Sequence, residues 1–156
     1  ATVAQGWVRR GARRRAGRVK GWPGDIRSVD GLLGHRAVAV HVRCGDALAQ
    51  NGEEWGLLPL SAYGHVLRKG DFVVLESASS RGSDWPFAET CRDVVLSLVQ
   101  LLNQQLRVST ACFYDEDIGS DLARLAFADV ILCGPSSTFC FWAALAAAGA
   151  GAEAHV

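Results

Sequence analysis

Four short apolar runs, each followed by a polar edge and then a helix-prone stretch, constrain this chain more than any other feature. They lie at 37–43, 71–75, 107–114 and 129–133. Runs of this length, dominated by Val, Ile, Leu, Ala and aromatic residues, read as strands buried on both faces. Between them, 59–66 reads as a short helix. Residues 88–106 carry Cys91, Val94, Val95, Leu98, Leu101 and Leu102 close to helical spacing, the stripe of an amphipathic helix. Ser120 is the expected N-cap of a helix over 121–128, with Leu122, Leu125 and Ala126 on one face. Residues 139–148, rich in Ala and aromatics, should form a largely buried helix. Strands alternating with helices predict an α/β domain, a Rossmann-like parallel sheet with flanking helices.

The chain has 156 residues, 49% hydrophobic and 21% charged, which suits one globular domain with a real core. Its zero net charge hides an asymmetry. Arg9, Arg10, Arg13, Arg14, Arg15, Arg18 and Lys20 face no acid within the first twenty residues. That leaves nine of the sixteen basic residues against all sixteen acids, a balance of −7. We expect 1–35 to be a basic, poorly ordered leader or remnant of an upstream segment, and 36–156 to be the folded domain. The acidic domain lacks a basic stripe, so nucleic acid is not an expected partner. No run of about eighteen apolar residues predicts a membrane span, and the leader lacks a signal-peptide core. The sequence begins at Ala1, contains no Met and stops in an Ala/Gly-rich run, which reads as a fragment of a longer chain.

Cys44, Cys91, Cys112, Cys133 and Cys140 form no CxxC pair or Cys/His cluster, so no zinc site is expected. An odd number leaves one thiol unpaired unless it bonds elsewhere. Cys112 and Cys133 fall inside strand patterns and are expected to be buried thiols.

Every predicted strand ends in polar residues, at the edge where an open parallel sheet binds ligands. Arg43, Gly45 and Asp46 follow the first, and Glu76, Ser77 and Ser79 the second. Asp115-Glu116-Asp117 follow the third, and Gly134-Pro135-Ser136-Ser137-Thr138 the fourth. An Arg beside a flexible Gly suits a phosphate or diphosphate; an Arg–Asp pair closing a turn would account for the same residues. Ser136, Ser137 and Thr138 open a helix, where hydroxyls, free amides and the helix dipole favour an anion. Simple capping by Ser136 or Ser137 is the competing explanation. The acidic run is more readily a solvated loop than a metal site, and His35, His41, His65 and His155 show no nucleophile partner.

Two blocks resemble a known family. His41-Val-Arg43-Cys44-Gly-Asp46 is similar to the His-x-Arg-Arg-x-Asp motif of fucosyltransferases that use GDP-fucose, the α1,2, α1,6 and protein O-fucosyltransferase group. Residues 121–139, from Asp121 through Asp129-Val-Ile-Leu-Cys133-Gly-Pro to Ser136-Ser137-Thr138-Phe139, resemble that group's closing motif. The likeness spans roughly 36–148. It implies the donor-binding half of a GT-B glycosyltransferase that takes a GDP-sugar, with no further cofactor and no metal. It also implies that Arg43 contacts the diphosphate and acts in catalysis while His41 shapes the same site. Asp46 belongs to the motif, Asp121 would accept hydrogen bonds from guanine, and Ser136, Ser137, Thr138 and Phe139 would line the phosphates. A glycan or protein hydroxyl would be the acceptor, with Asp46 and Glu76 as candidate bases or structural groups, and the Golgi the expected location. One departure stands out, because Cys44 occupies the place of the second Arg. A noncatalytic nucleotide-binding module or inactive fragment is the alternative expectation.

Overall fold

The computed structural model describes residues 35–44, 47, 57–77, 87–114, 117–134, 137–149 and 151–155. Five strands are present: β1 (Ala37–His41), β2 (Phe72–Ser77), β3 (Ser109–Tyr114), β4 (Val130–Cys133) and β5 (Glu153–His155). The helices are α1 (Leu60–Val66), α2 (Ala88–Leu101), α3 (Ile118–Phe127) and α4 (Thr138–Gly149), and α2 continues into a wider π-helical turn at Leu102–Leu106. The strands form one sheet in the order β3-β2-β1-β4-β5, and every neighbouring pair is parallel. The expected Rossmann-like α/β architecture is therefore present.

Alternation along the strands sorts the core into two layers. Val38, Val40 and Val42 join Val73, Leu75, Val130 and Leu132 on one face, packed under Tyr63 of α1 and Val95 of α2. Ala39, Ile131 and Cys133 face the other way, against Leu125 of α3 and Cys140, Ala143, Ala144 and Ala147 of α4. The alanines let α4 lie close to the sheet. Each fully buried Val, Leu or Ile contributes about 1.5–3 kcal/mol, so both faces must be covered for these strands to be stable.

Several sequence expectations shift. The first strand stops at His41 rather than Arg43, and the short β5 was not anticipated, because Glu153-Ala154-His155 carries no apolar run. Helix α3 begins three residues early, because Asp117 rather than Ser120 is its N-cap. The Asp117 carboxylate accepts from the Ser120 amide at 2.9 Å and its hydroxyl at 2.6 Å, the usual mode of side-chain capping. Those bonds at the helix start hold the Asp117 carboxyl below its ordinary value. The buried face of α3 is Asp121, Arg124 and Leu125, while Leu122 is exposed. In α4, too, Phe141, Trp142 and Leu145 lie outward rather than buried.

The end of the sheet opposite the polar strand termini is closed by charge. Arg36 reaches Asp71 with two nitrogens, at 3.2 and 2.8 Å, and donates to the Val66 carbonyl at 2.5 Å. Asp71, almost fully buried, also accepts from the Arg68 amide at 2.8 Å. These contacts tie the entries to β1 and β2 to the end of α1. Removing one partner of such a pair leaves the other desolvated and uncompensated. Asp71→Ala should therefore lower the unfolding free energy by about 2–4 kcal/mol in urea titrations, with the helical circular-dichroism signal of the folded state retained.

Candidate functional site

The strand order places a topological switch point at β1. From β1 the chain moves outward through β2 to β3, then returns to the other side of β1 with β4 and β5. Such a switch point, beyond the carboxyl ends of β1 and β4, is the usual crevice for a ligand in an open α/β sheet. The register puts His41 beside Glu76 of β2 and Cys133 of β4. His41 is thus the last ladder residue of the central strand, and the crevice starts there.

On the β4 side, the amide of Gly134 donates to the His41 carbonyl at 3.3 Å. Ser137 then opens α4: its hydroxyl accepts from the Cys140 amide at 3.3 Å, and its carbonyl accepts from the Phe141 amide at 2.9 Å. The same hydroxyl lies 3.2 Å from His41 Nδ1. Phe139 packs its ring on the His41 imidazole, with centroids 5.5 Å apart. Four of the anticipated residues therefore converge, with His41, Ser137 and Phe139 in contact and Thr138 exposed on the same first turn. Ser137 does serve as a cap, but its hydroxyl also meets the imidazole.

On the β2 side, the Val42 amide donates to the Glu76 carbonyl at 2.8 Å, and buried Ser77 donates its hydroxyl to the Val42 carbonyl at 2.9 Å. These bonds carry the chain past β1 in an extended path and set down Arg43, half-buried, at the crevice edge. Cys44 is fully buried and bonded to Cys91 in the first turns of α2, with Cα atoms 5.6 Å apart. The residue standing in place of a second Arg is thus a covalent anchor. A second disulfide, Cys133–Cys140, joins the end of β4 to the start of α4. Cys133 is therefore not the free thiol expected from its strand pattern. Cys112 is the free cysteine among the described residues, and burial pushes its thiol up.

Behind this edge lies a buried charged cluster that is not among the sequence-based expectations. Arg124 of α3 is completely buried, pairing through Nε and Nη2 with the Glu76 carboxylate and through Nη2 with Asp121 at 2.5 Å. Its guanidinium carbon sits 4.2 Å above the Phe113 ring of β3, an arrangement that favours a cation. The signal was available in the Asp121-x-x-Arg124 spacing, which puts both charges on one helical face. Glu76 is so enclosed that it cannot meet an acceptor hydroxyl, which removes it as a candidate base. Asp46 and Ser136, also named from the sequence, lie outside the described residues, as do Asp115, Glu116, 78–86 of the polar loop and 1–34 of the leader.

The electrostatics follow from this enclosure. Burial drives His41 down to about 4, with Arg43 adding to the effect and Asp121 opposing it, so the ring is neutral at pH 7. Glu76 moves the other way, up to about 8, because burial and nearby Asp121 outweigh the pull of Arg124.

Two measurements follow. Unfolded His41 would titrate near 6.5, so the stability supplied by its neutral native form is complete above that pH. It drains as the pH falls from 6.5 towards 4. Urea titrations across that window should show an acid-side loss approaching ~1.4 kcal/mol per pH unit from this residue, flattened in His41→Asn. Peptide mapping without reductant should recover Cys44–Cys91 and Cys133–Cys140 as linked pairs; the pairing of the site loops would be wrong if either peptide appeared alone.

No family model matches this chain, and no curated protein sequence matches it. Among solved structures it is similar to the crystal structure of POFUT1, a protein O-fucosyltransferase, in complex with GDP, with a TM-score of 0.50 and 15% identity. The superposition covers 92% of this chain and 45% of that one. The chain thus spans less than half of the solved protein it resembles, and the likeness is one of fold: a parallel α/β sheet with flanking helices of the kind found in a distant fucosyltransferase.

Proposed function

We propose that this chain is the donor-binding domain of a glycosyltransferase that takes a GDP-sugar, GDP-fucose by the motif resemblance, and passes the sugar to a glycan or protein hydroxyl. The observation that carries this reading is the contact of His41 with Ser137 and Phe139 at the carboxyl ends of β1 and β4, with Arg43 following His41 two residues on. Support also comes from the fold likeness to a protein whose solved structure holds GDP.

In this reading Arg43 and the first turn of α4 receive the diphosphate. The first amides of a helix have no carbonyl partner one turn back, and the dipole is positive there. Ser137 is occupied with capping and with His41, so it shapes the turn, and the Thr138 and Phe139 amides and the Thr138 hydroxyl face the anion. Neutral His41 can support Ser137 and Phe139 without adding a charge.

During transfer, the acceptor oxygen bonds to the sugar's anomeric carbon as the bond from that carbon to the β-phosphate oxygen breaks. The electron pair leaves with GDP, and the acceptor proton passes to a base. Negative charge builds on the diphosphate, where a guanidinium and a helix N-terminus are worth most. Arg43 is the proposed catalytic residue for that reason. Asp46 is the motif position proposed to join the site.

A noncatalytic nucleotide-binding module is the second reading. It is favoured by Cys44, whose disulfide stands where the motif has another arginine, so one expected cation is missing. Turnover of GDP-fucose by the protein with a hydroxyl acceptor separates the two.

Calorimetric titration with GDP, GDP-fucose and UDP tests the common core of both. GDP and GDP-fucose should bind and UDP should bind much more weakly. Arg43→Ala should weaken GDP binding by about 10- to 100-fold, the range for one charge-assisted hydrogen-bond pair. A folded sample that binds none of the three rules out the proposal.

A further inference from the structure

We propose that Arg124 is a positioning residue for base recognition: anchored on Glu76, it fixes the Asp121 carboxylate so that one oxygen is presented to adjacent N–H donors of a nucleotide base. This rests on the GDP-sugar reading above and specifies what would give it base selectivity.

The geometry is a chain of three ionisable side chains running outward from the core. Glu76 on β2 has a side-chain exposure of 1%, Arg124 has 0%, and Asp121 has 11%. Asp121 is therefore the member that reaches the surface. Its Oδ1 is held by Arg124. The guanidinium cannot swing away, because Glu76 grips two of its nitrogens and the Phe113 ring covers its face. A planar fork locked on both sides transmits its orientation to whatever it binds. Without that hold the carboxylate of Asp121 would be free to rotate.

Charge points the same way. Two carboxyl groups face one guanidinium in an enclosed space, and Glu76 is pushed up despite its contact with Arg124. The outermost carboxylate accepts from a ligand that brings N–H donors and repels one that brings an acceptor. Location completes the picture. Glu76 lies beside His41 in the ladder, so the triad is on the β2 side of the strand end. Ser137 and Phe139 are on the β4 side. A nucleotide laid across β1 would have its diphosphate at one flank and its base at the other. Guanine carries an N1–H and a 2-amino group side by side, hypoxanthine keeps only the N1–H, and adenine offers an acceptor in that place.

The test uses the full 156-residue chain and titrates GDP, IDP, ADP and inorganic pyrophosphate. Wild type should prefer GDP over IDP by about tenfold and over ADP by more. Glu76→Gln keeps the shape of the triad while weakening its grip on Arg124, and should reduce the GDP:IDP preference about three- to tenfold. Arg124→Met should abolish the preference and Arg124→Lys should restore part of it, while pyrophosphate affinity stays within about twofold of wild type throughout. Parallel weakening of GDP and pyrophosphate would reveal a merely structural role and overturn the assignment. So would an unchanged GDP:IDP ratio in a Glu76→Gln protein that melts like wild type. If Arg124→Met fails to fold, Glu76→Gln and Arg124→Lys decide. Absence of GDP binding by wild type is a different result, since it refutes the GDP-sugar reading itself, whereas GDP binding with selectivity untouched by these variants refutes only the positioning role.

Discussion

Everything at the crevice depends on β1 being paired on both sides. A strand at the centre of a parallel sheet has its backbone fixed by two ladders, and its end is therefore one of the least mobile points available for a functional group. His41 occupies that point, between Glu76 and Cys133. The polar residues that follow inherit its position: Arg43 through the bonds of Val42 to Glu76 and Ser77, and Ser137 through Gly134 and the imidazole. Placing the same residues on an edge strand would leave one flank unsupported and the two loops unrelated.

The opposite end of the sheet shows how the same problem is solved where no ligand is needed. Arg36 and Asp71 satisfy one another and two backbone groups, so the charges there are internally closed. At the carboxyl end the polar groups are not all turned inward. Asp121 and Glu76 share one guanidinium, and the first turn of helix α4 carries the positive pole of its dipole. A fold that closes one end and leaves the other able to take a ligand has separated stability from binding along the strand axis.

Much of this was legible in the sequence. The apolar runs announce four strands because a sheet covered on both faces needs continuous hydrophobic residues, and Arg43 and Ser137 stand out by their place at the ends of such runs, whereas His41 and Phe139 enter only through the family resemblance. What could not be read is instructive. Glu153-Ala154-His155 forms a strand through ladder bonds to β4 rather than through its own composition. Ser120 looked like a cap because hydroxyls cap helices, but Asp117 lies three residues earlier and does it with two bonds. Arg124 does not stand out by itself, since a basic residue on an amphipathic helix normally faces water. Only the three-dimensional proximity of Glu76, on a strand 48 residues earlier, makes its burial tolerable. Cysteine pairing also lies beyond sequence, because several connectivities fit five residues.

The two disulfides differ in a way that bears on how this domain comes to exist. Cys133 and Cys140 are seven residues apart, whereas Cys44 and Cys91 are separated by 47. The first ring is small and closes with little loss of chain freedom; the second closes a far longer loop and requires β1 and α2 to have already met. Oxidation would then be ordered, with the turn before α4 stapled while the chain is still largely open and the loop after Arg43 stapled only once the central strand has docked. The later bond would thereby act as a record of correct assembly, sealing the arginine's position after the sheet has chosen its register.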